Sequence, residues 1–161
     1  MEKLMSQHPM TLDGKNMLQE ELDRLIKNDR EEVKLAIAEA REHGDLKENA
    51  EYHAAKERQS HIEGRIGELQ SKLANANVVD ISKLNTEKIV FGATVTLYSE
   101  EKDQSFTYQI VGEDEAKAHK DKISFNSPLG KSLIGKEEGD EAVVKAPKGD
   151  VIYVIEEIEY K

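Results

Sequence analysis

The sequence contains no cysteine and no tryptophan, and only 5% of its residues are aromatic. Without cysteine there is no disulfide framework, no thiolate nucleophile and no cysteine-ligated zinc or iron–sulfur site. The five histidines lack the spacing of a metal site as well. No segment approaches the roughly 20 consecutive apolar residues of a membrane span, and no apolar run of signal-peptide length follows the first methionine. We therefore expect a cytoplasmic protein without membrane association.

The composition also limits the size of the core and the kind of partner. Of the 161 residues, 37% are hydrophobic and 35% are charged. This leaves little material for one thick core, so a small globular unit joined to an elongated one is expected. The formal net charge of −10 argues against a conventional nucleic-acid binder, whose affinity comes from lysine and arginine that neutralise phosphates.

Two stretches of the first half have the periodicity of packed helices. The later stretch repeats its seam residues at alternating spacings of three and four, as in a coiled coil: Tyr52, Ala55, Gln59, Ile62, Ile66, Leu69, Leu73 and Ala76. The earlier stretch has a similar stripe, interrupted by the polar residues Asp29 and Arg30: Leu18, Leu22, Ile26, Val33, Ile37 and Ala40. An antiparallel pairing of the two stripes predicts a helical hairpin.

The predicted turn of this hairpin is acidic. Pairing the two stripes places its centre near residue 47 or 48, with Gly44 as the expected end of the first helix and Asn49 at a non-helical position. Asp45 could cap the helix that follows. Helices of about 30 residues would place Asp45 and Glu48 at the end of a rod of ~45 Å. Spacing alone favours an ordinary solvated turn for these two carboxylates.

The second half has the short alternating runs of β-strands, bounded by turn residues. Strands are predicted over 89–98, 106–111, 123–125, 142–146 and 151–158. Ser127 at an N-cap and Pro128 at the first helical position predict a short helix that ends at Gly135. The expected fold class is α+β: a helical hairpin over residues 1–79 and a mostly antiparallel β domain over 80–161.

Four segments carry a resemblance to a known family: MTLDG at 10–14, AEAREHGDLKENAEY at 38–52, FGATV at 91–95 and NSPLGKSLIG at 126–135. The chain resembles the bacterial Gre transcript cleavage factors, and among them the GreA type. The resemblance covers nearly the whole chain and implies an N-terminal coiled-coil hairpin followed by an FKBP-like domain that docks on RNA polymerase. The one departure is an extra N-terminal stretch over residues 1–8.

The resemblance implies an accessory factor and not an enzyme. It implies binding in the secondary channel of bacterial RNA polymerase and stimulation of the polymerase's endonucleolytic cleavage of backtracked RNA. Asp45 and Glu48 would be the catalytic and metal-binding residues. Because Mg²⁺ takes six oxygen ligands and this turn supplies at most two carboxylates, we expect Mg²⁺ to be shared with the polymerase and not bound tightly by this chain alone. We expect a monomer in the free state.

Other residues near the turn have two interpretations each. Arg41 and Lys47 could steady RNA phosphates or be ordinary surface charges. Tyr52 could stack on the 3′ end of the nascent RNA, although packing at the end of the hairpin is favoured. Lys56 and Arg58 are the candidates for the small basic patch that the resemblance implies.

Interhelical ion pairs are the favoured alternative for the basic residues that recur every seven positions on the second helix. The predicted acidic neighbours are Glu39 for Arg58, Asp29 or Glu31 for Arg65, and Asp23 for Lys72. His43 and His53 flank the turn as possible proton carriers, but exposed histidines are more often without such a role.

The resemblance implies that Asn126, Ser127 and Pro128 dock on the polymerase, although a helix start made only for folding fits them equally well. Three alternatives to a cleavage factor stay open. One is a channel-binding regulator that does not stimulate cleavage. The others are a stand-alone nuclease and a prolyl isomerase. An isomerase would need an aromatic-lined pocket, for which this domain has few aromatic residues.

Overall fold

A computed structural model describes residues 8–44, 48–84 and 86–161. The contacts divide the chain into two compact units. One unit is Asn16–Asn75, and the other combines the described part of Met1–Lys15 with Ala76–Lys161. The expected combination of an N-terminal helical hairpin and a C-terminal, mostly antiparallel sheet is confirmed. The division by contacts differs from the predicted boundary at 79/80, because residues on both sides of the hairpin join the sheet-containing unit.

Three α-helices and one π-helical segment form the described part of the hairpin. The first arm consists of α1 (Leu12–Arg24), a π-helical segment (Leu25–Asp29) and α2 (Arg30–Glu42), and the second arm is α3 (Ala50–Ala74). The predicted apolar stripes are largely the buried ones. Buried residues of the two arms are Leu18, Leu22, Leu25, Val33, Ile37 and Ala40 on the first, and Ala55, Ile62, Ile66 and Leu69 on the second.

The π-helical segment corrects one position of the predicted stripe. Leu25 is buried, whereas Ile26 is only half-buried. The Arg30 N–H donates to the Leu25 carbonyl, which is the wider i→i+5 bond of a π-helix. Eight positions separate Leu25 from Val33, one more than two α-helical turns span, and the wider turn absorbs the extra residue. Asp29 and Arg30, the polar interruption in the stripe, lie where this adjustment ends.

The unit that contains the sheet begins with a strand that the sequence did not predict. β1 (His8–Thr11) pairs in parallel with β2 (Ala76–Val79), and a 3₁₀ turn follows at Ile81–Lys83. The hydroxyl of Thr11 donates to the buried carboxylate of Glu115, which also lies 3.4 Å from the ammonium of Lys122. The Gly14 N–H donates to the same hydroxyl at 3.0 Å. The first turn of α1 is thus bonded to this unit.

The five-stranded sheet has the strand order β5-β4-β3-β7-β6. Its strands are β3 (Thr94–Ser99), β4 (Gln104–Val111), β5 (Lys122–Ser124), β6 (Glu141–Ala146) and β7 (Gly149–Glu159). Within this sheet β4 and β5 pair in parallel, and the other neighbouring strands pair antiparallel. The alternation of buried and half-buried residues along β3 reflects its central position. Its inner face contributes Val95 and Leu97 to a core completed by Ile89, Ala93, Ile110, Leu133, Ala142 and Ile155.

Two short helices lie beside this sheet. α5 (Pro128–Leu133) has Ser127 at its N-cap and Pro128 at its first position, as predicted, and Gly135 after it has φ +89°. The other helix, α4 (Glu113–Ala118), was not predicted, because its six residues are too few to show a period. The strand predicted over 89–98 begins only at Thr94, although Ile89 is buried in the core.

The π-helical segment makes a testable difference between two adjacent residues. Leu25→Ala should lower the free energy of unfolding by about 3 kcal/mol, because it opens a cavity in the hairpin seam. Ile26→Ala should cost about 1 kcal/mol, since that side chain is already half in water. Urea unfolding followed by the helical circular dichroism signal measures both. An equal loss, or a larger loss for Ile26→Ala, would contradict the described seam.

Candidate functional site at the hairpin turn

The acidic turn is described only in part. Asp45 and Lys47 lie outside the described residues. α2 ends at Glu42, and Gly44 has φ +108°, a backbone conformation that L side chains rarely adopt. Glu48 is exposed to solvent and directly precedes Asn49, the N-cap of α3. The described carboxylate of the predicted pair is therefore available to a partner outside the chain.

Asn49 begins the second arm and bonds with both arms. Its side-chain oxygen accepts from the Tyr52 N–H at 3.0 Å, which makes it the N-cap of α3. Its side-chain amide donates to the carbonyl of Ala40, near the end of α2, at 2.6 Å. The prediction of a non-helical position for Asn49 is confirmed by φ −82° and ψ 99°. The bond across the hairpin was not foreseen, because it depends on how the arms pair.

Tyr52 is half-buried at the base of the turn. The Arg41 guanidinium lies 5.9 Å from its ring centroid, within the range of a cation–π contact. The His53 ring meets it edge-on at 5.7 Å. His43 and Glu51, both exposed, approach within 4.0 Å. Arg41 and Tyr52 are therefore next to each other at the turn, and an RNA base that stacked on Tyr52 would meet Arg41 as well.

Acidic partners accompany the basic residues of α3, as the ion-pair interpretation predicted, but Arg58 and Arg65 pair with other glutamates than the predicted residues. Arg65 makes two hydrogen bonds to Glu21, at 2.8 and 2.9 Å, and also contacts Glu68. Arg58 reaches Glu32 at 3.5 Å. Lys72 pairs with Glu68, on the same helix, at 3.1 Å.

The partners found for Arg58 and Arg65 differ from the predicted ones in part because the turn was placed too late in the sequence. The midpoint between the end of α2 at Glu42 and the start of α3 at Ala50 lies one to two residues before the predicted centre. In an antiparallel pair this moves each opposing residue about twice as far toward the start of the chain. The observed interhelical partners, Glu32 and Glu21, lie seven or more residues before the predicted ones, so the turn centre explains only part of the difference.

These ion pairs differ in their exposure and strength. The side chains of Arg65 and Glu21 are 30% and 26% exposed, whereas those of Arg58 and Glu32 are 52% and 66% exposed. The hydrogen bonds with Glu21 hold the pKa of Arg65 above its ordinary value. Lys72 likewise lowers the pKa of Glu68. Arg65 is thus committed to the hairpin, while Arg58 can turn to another anion at little cost.

Lys56 and the predicted docking segment lie at other places on the surface. Lys56 is exposed and contacts Gln59 at 3.2 Å. The hydroxyl of Ser127 accepts from the Gly130 N–H at 3.0 Å and donates to the Ser124 carbonyl at 2.7 Å. The Asn126 amide donates to Glu113 at 3.0 Å, and Pro128 is exposed. Ser127 therefore serves the local fold, while Asn126 and Pro128 are exposed to solvent.

Comparison with known proteins identifies the family. The model described as "Transcription elongation factor, N-terminal" matches residues 8–78, and the model described as "Transcription elongation factor, GreA/GreB, C-term" matches residues 84–160. The chain belongs to the GreA/GreB family of transcription elongation factors. The predicted family membership is confirmed, and the GreA/GreB assignment covers both units.

Individual relatives extend along nearly the whole chain. The chain is 57% identical to the transcription elongation factor GreA of Thioalkalivibrio sulfidiphilus, over 97% of this chain and 99% of the relative. It is 58% identical to the GreA of Halorhodospira halophila, over 98% and 100%. A crystal structure of GreA factor homologue 1 from Thermus thermophilus matches with a TM-score of 0.44 and 26% identity, over 95% of this chain and 99% of that one.

The described residues include neither a candidate membrane-spanning helix nor a candidate metal-binding group. None of the helices in the described ranges is both long and apolar enough to cross a membrane. Histidines and carboxylates of residues 8–44, 48–84 and 86–161 form no group of three or more that could hold a metal ion.

Arg58 and Arg65, two arginines of α3 that pair with the first arm, provide a matched pair of variants. Arg65→Met should lower the free energy of unfolding by about 1 kcal/mol, because it removes a partly buried pair with two hydrogen bonds. Arg58→Met should change it by a few tenths of a kcal/mol at most, since its pair is long and exposed. Chemical unfolding of the hairpin measures both. A loss for Arg58→Met equal to that for Arg65→Met would contradict this ranking.

Proposed function

We propose that this elongation factor binds bacterial RNA polymerase in its secondary channel and stimulates the polymerase's own cleavage of backtracked nascent RNA. The observation that carries the proposal is Glu48, an exposed carboxylate at the turn of a long hairpin. A hairpin can enter a narrow channel and deliver this group to a site that a globular domain could not reach. The names of the relatives support a role in transcript elongation. The expected compartment is the cytoplasm.

The donor set at the turn fits a shared metal ion and not a self-contained site. Mg²⁺ takes oxygen ligands in octahedral geometry, and the described part of the turn offers the carboxylate of Glu48. Together with Asp45, Glu48 would hold Mg²⁺ beside polymerase carboxylates and an RNA phosphate. The metal, when bound, would acidify a water and offset the negative charge of the phosphate. Glu48 itself would orient that water. The factor would thus complete the polymerase site and not act as an enzyme alone.

The surroundings of the turn are compatible with RNA as the neighbouring group. Arg41, Lys56 and Arg58 are exposed cations on the two arms. Arg41 contacts the face of the Tyr52 ring, Lys56 contacts Gln59, and Arg58 makes a long ion pair with Glu32; a phosphate could displace each of these contacts. Together with Tyr52 and Lys47 they would flank the 3′ end of the nascent RNA. Arg65 is held by Glu21 and is not part of this surface.

Cleavage in stalled complexes tests this function. Purified polymerase halted in a backtracked state should yield shortened RNA on addition of the factor and Mg²⁺. Glu48→Ala and Asp45→Ala should each lower the stimulated rate at least about tenfold, because each removes a metal ligand. Glu39→Ala, which removes an exposed carboxylate of α2, should leave it unchanged.

The same assay separates the alternatives. Cleavage of RNA by the factor without polymerase would identify a nuclease and contradict the proposal. Displacement of a channel-bound competitor without any shortening of RNA would identify a regulator that does not stimulate cleavage. Wild-type rates in both tip variants would remove the turn from the mechanism.

Docking on the polymerase is tested at the start of α5. Pro128→Ala should weaken polymerase binding about tenfold with the unfolding free energy nearly unchanged, because this exposed ring is expected at the interface. Ser127→Ala should instead lower the unfolding free energy by about 1 kcal/mol, since it removes the cap. Binding to immobilised polymerase and urea unfolding measure the two effects. Full binding by Pro128→Ala would contradict a docking role.

A further inference from the structure

The side chain of Asn49 makes more bonds than a helix cap requires. Capping needs one oxygen, which accepts from the Tyr52 N–H. Serine, threonine or aspartate would cap α3 equally well. The amide nitrogen adds a second bond at 2.6 Å to the Ala40 carbonyl, on the opposite arm of the hairpin. Of the usual capping residues, asparagine alone carries an acceptor oxygen and a separate N–H donor group on the same short side chain.

The position of this bridge is next to the candidate catalytic carboxylate. Asn49 directly follows Glu48, and its φ and ψ set the direction in which the chain leaves Glu48. Ala40 is buried in the hairpin seam, so its carbonyl is a fixed anchor. Glu48 itself is exposed to solvent. The bridge is thus the described contact through which the rigid seam can restrain Glu48.

We propose that Asn49 is a positioning residue, which holds Glu48 in the orientation required at the polymerase metal. This inference rests on the proposed function. A backbone residue that becomes ordered only on binding costs conformational entropy. By bonding both arms before the factor reaches the polymerase, Asn49 lowers the cost of bringing Glu48 into place. Misplacement of a reacting group by about 1 Å can cost 100-fold in rate.

Two variants remove the bridge and keep the cap. Asn49→Asp retains the acceptor for Tyr52 but places an oxygen against the Ala40 carbonyl. Asn49→Ser is neutral, also caps, and is too short to reach Ala40. The two differ in charge, so an effect common to both reports the lost bridge.

The other end of α3 offers a matched control. The Asn75 amide donates to the Ser71 carbonyl at 2.9 Å, so Asn75→Asp and Asn75→Ser make the same chemical changes away from the turn.

Stimulated cleavage is measured across Mg²⁺ concentrations, with polymerase binding and helicity measured in parallel. Both Asn49 variants should raise the Mg²⁺ concentration for half-maximal stimulation about tenfold, because a loosely held Glu48 contributes less to the shared metal. Polymerase affinity and helicity should stay at wild-type levels, as they should in the Asn75 variants. A wild-type Mg²⁺ dependence in both Asn49 variants would overturn the proposal, and so would an equal shift in the Asn75 variants.

A second measurement needs no polymerase. Because the chain has no cysteine, Glu42→Cys and Glu51→Cys allow two nitroxide labels, one on each side of the turn. The distribution of distances between them should broaden with Asn49→Ser and stay narrow with Asn75→Ser. An unchanged distribution would overturn the restraint by Asn49. Failure of the wild-type protein to stimulate cleavage would instead contradict the proposed function, and the label distances would still decide what Asn49 does.

Discussion

The apolar seam between the two arms of the hairpin is the contact on which the functional part of the molecule depends. It buries residues such as Val33, Ile37, Ile62 and Leu69, whereas Glu48 at the turn between the arms is exposed to solvent. A carboxylate at this turn does not pay the desolvation cost of burial. The seam therefore supports a turn at which the carboxylate of Glu48 stays in contact with water.

The charges of the hairpin divide into two groups once the contacts are considered. Arg65 and Glu21 are partly buried, make two hydrogen bonds and belong to the hairpin itself. Arg41, Lys56 and Arg58 are exposed and have weaker contacts. Under the proposed function, this division would let a chain with a net charge of −10 approach RNA, because a few displaceable cations lie on the arms and a shared metal would separate Glu48 from the phosphate.

Sequence reasoning reached the fold class, the hairpin, the five strands of the larger sheet and the start of α5, because each has a period or a capping signal of its own. It missed features that depend on non-local contacts. β1 and β2 are four residues each, and they pair with each other although the hairpin lies between them in the sequence. The π-helical segment moved the seam from Ile26 to Leu25. The exact turn centre could be located only from the ends of α2 and α3, and the partners of Arg58 and Arg65 only from the pairing of the two arms.

Hydroxyl radicals generated at the polymerase metal can test whether the hairpin turn meets that metal. Fe²⁺ replaces Mg²⁺ in a backtracked complex that contains the end-labelled factor, and hydroxyl radicals formed at the metal cut any polypeptide close to it. If the turn lies at the metal, the factor should be cut between Gly44 and Tyr52, only in the complex and only with Fe²⁺. Cuts confined to other parts of the factor, or none at the turn, would contradict it.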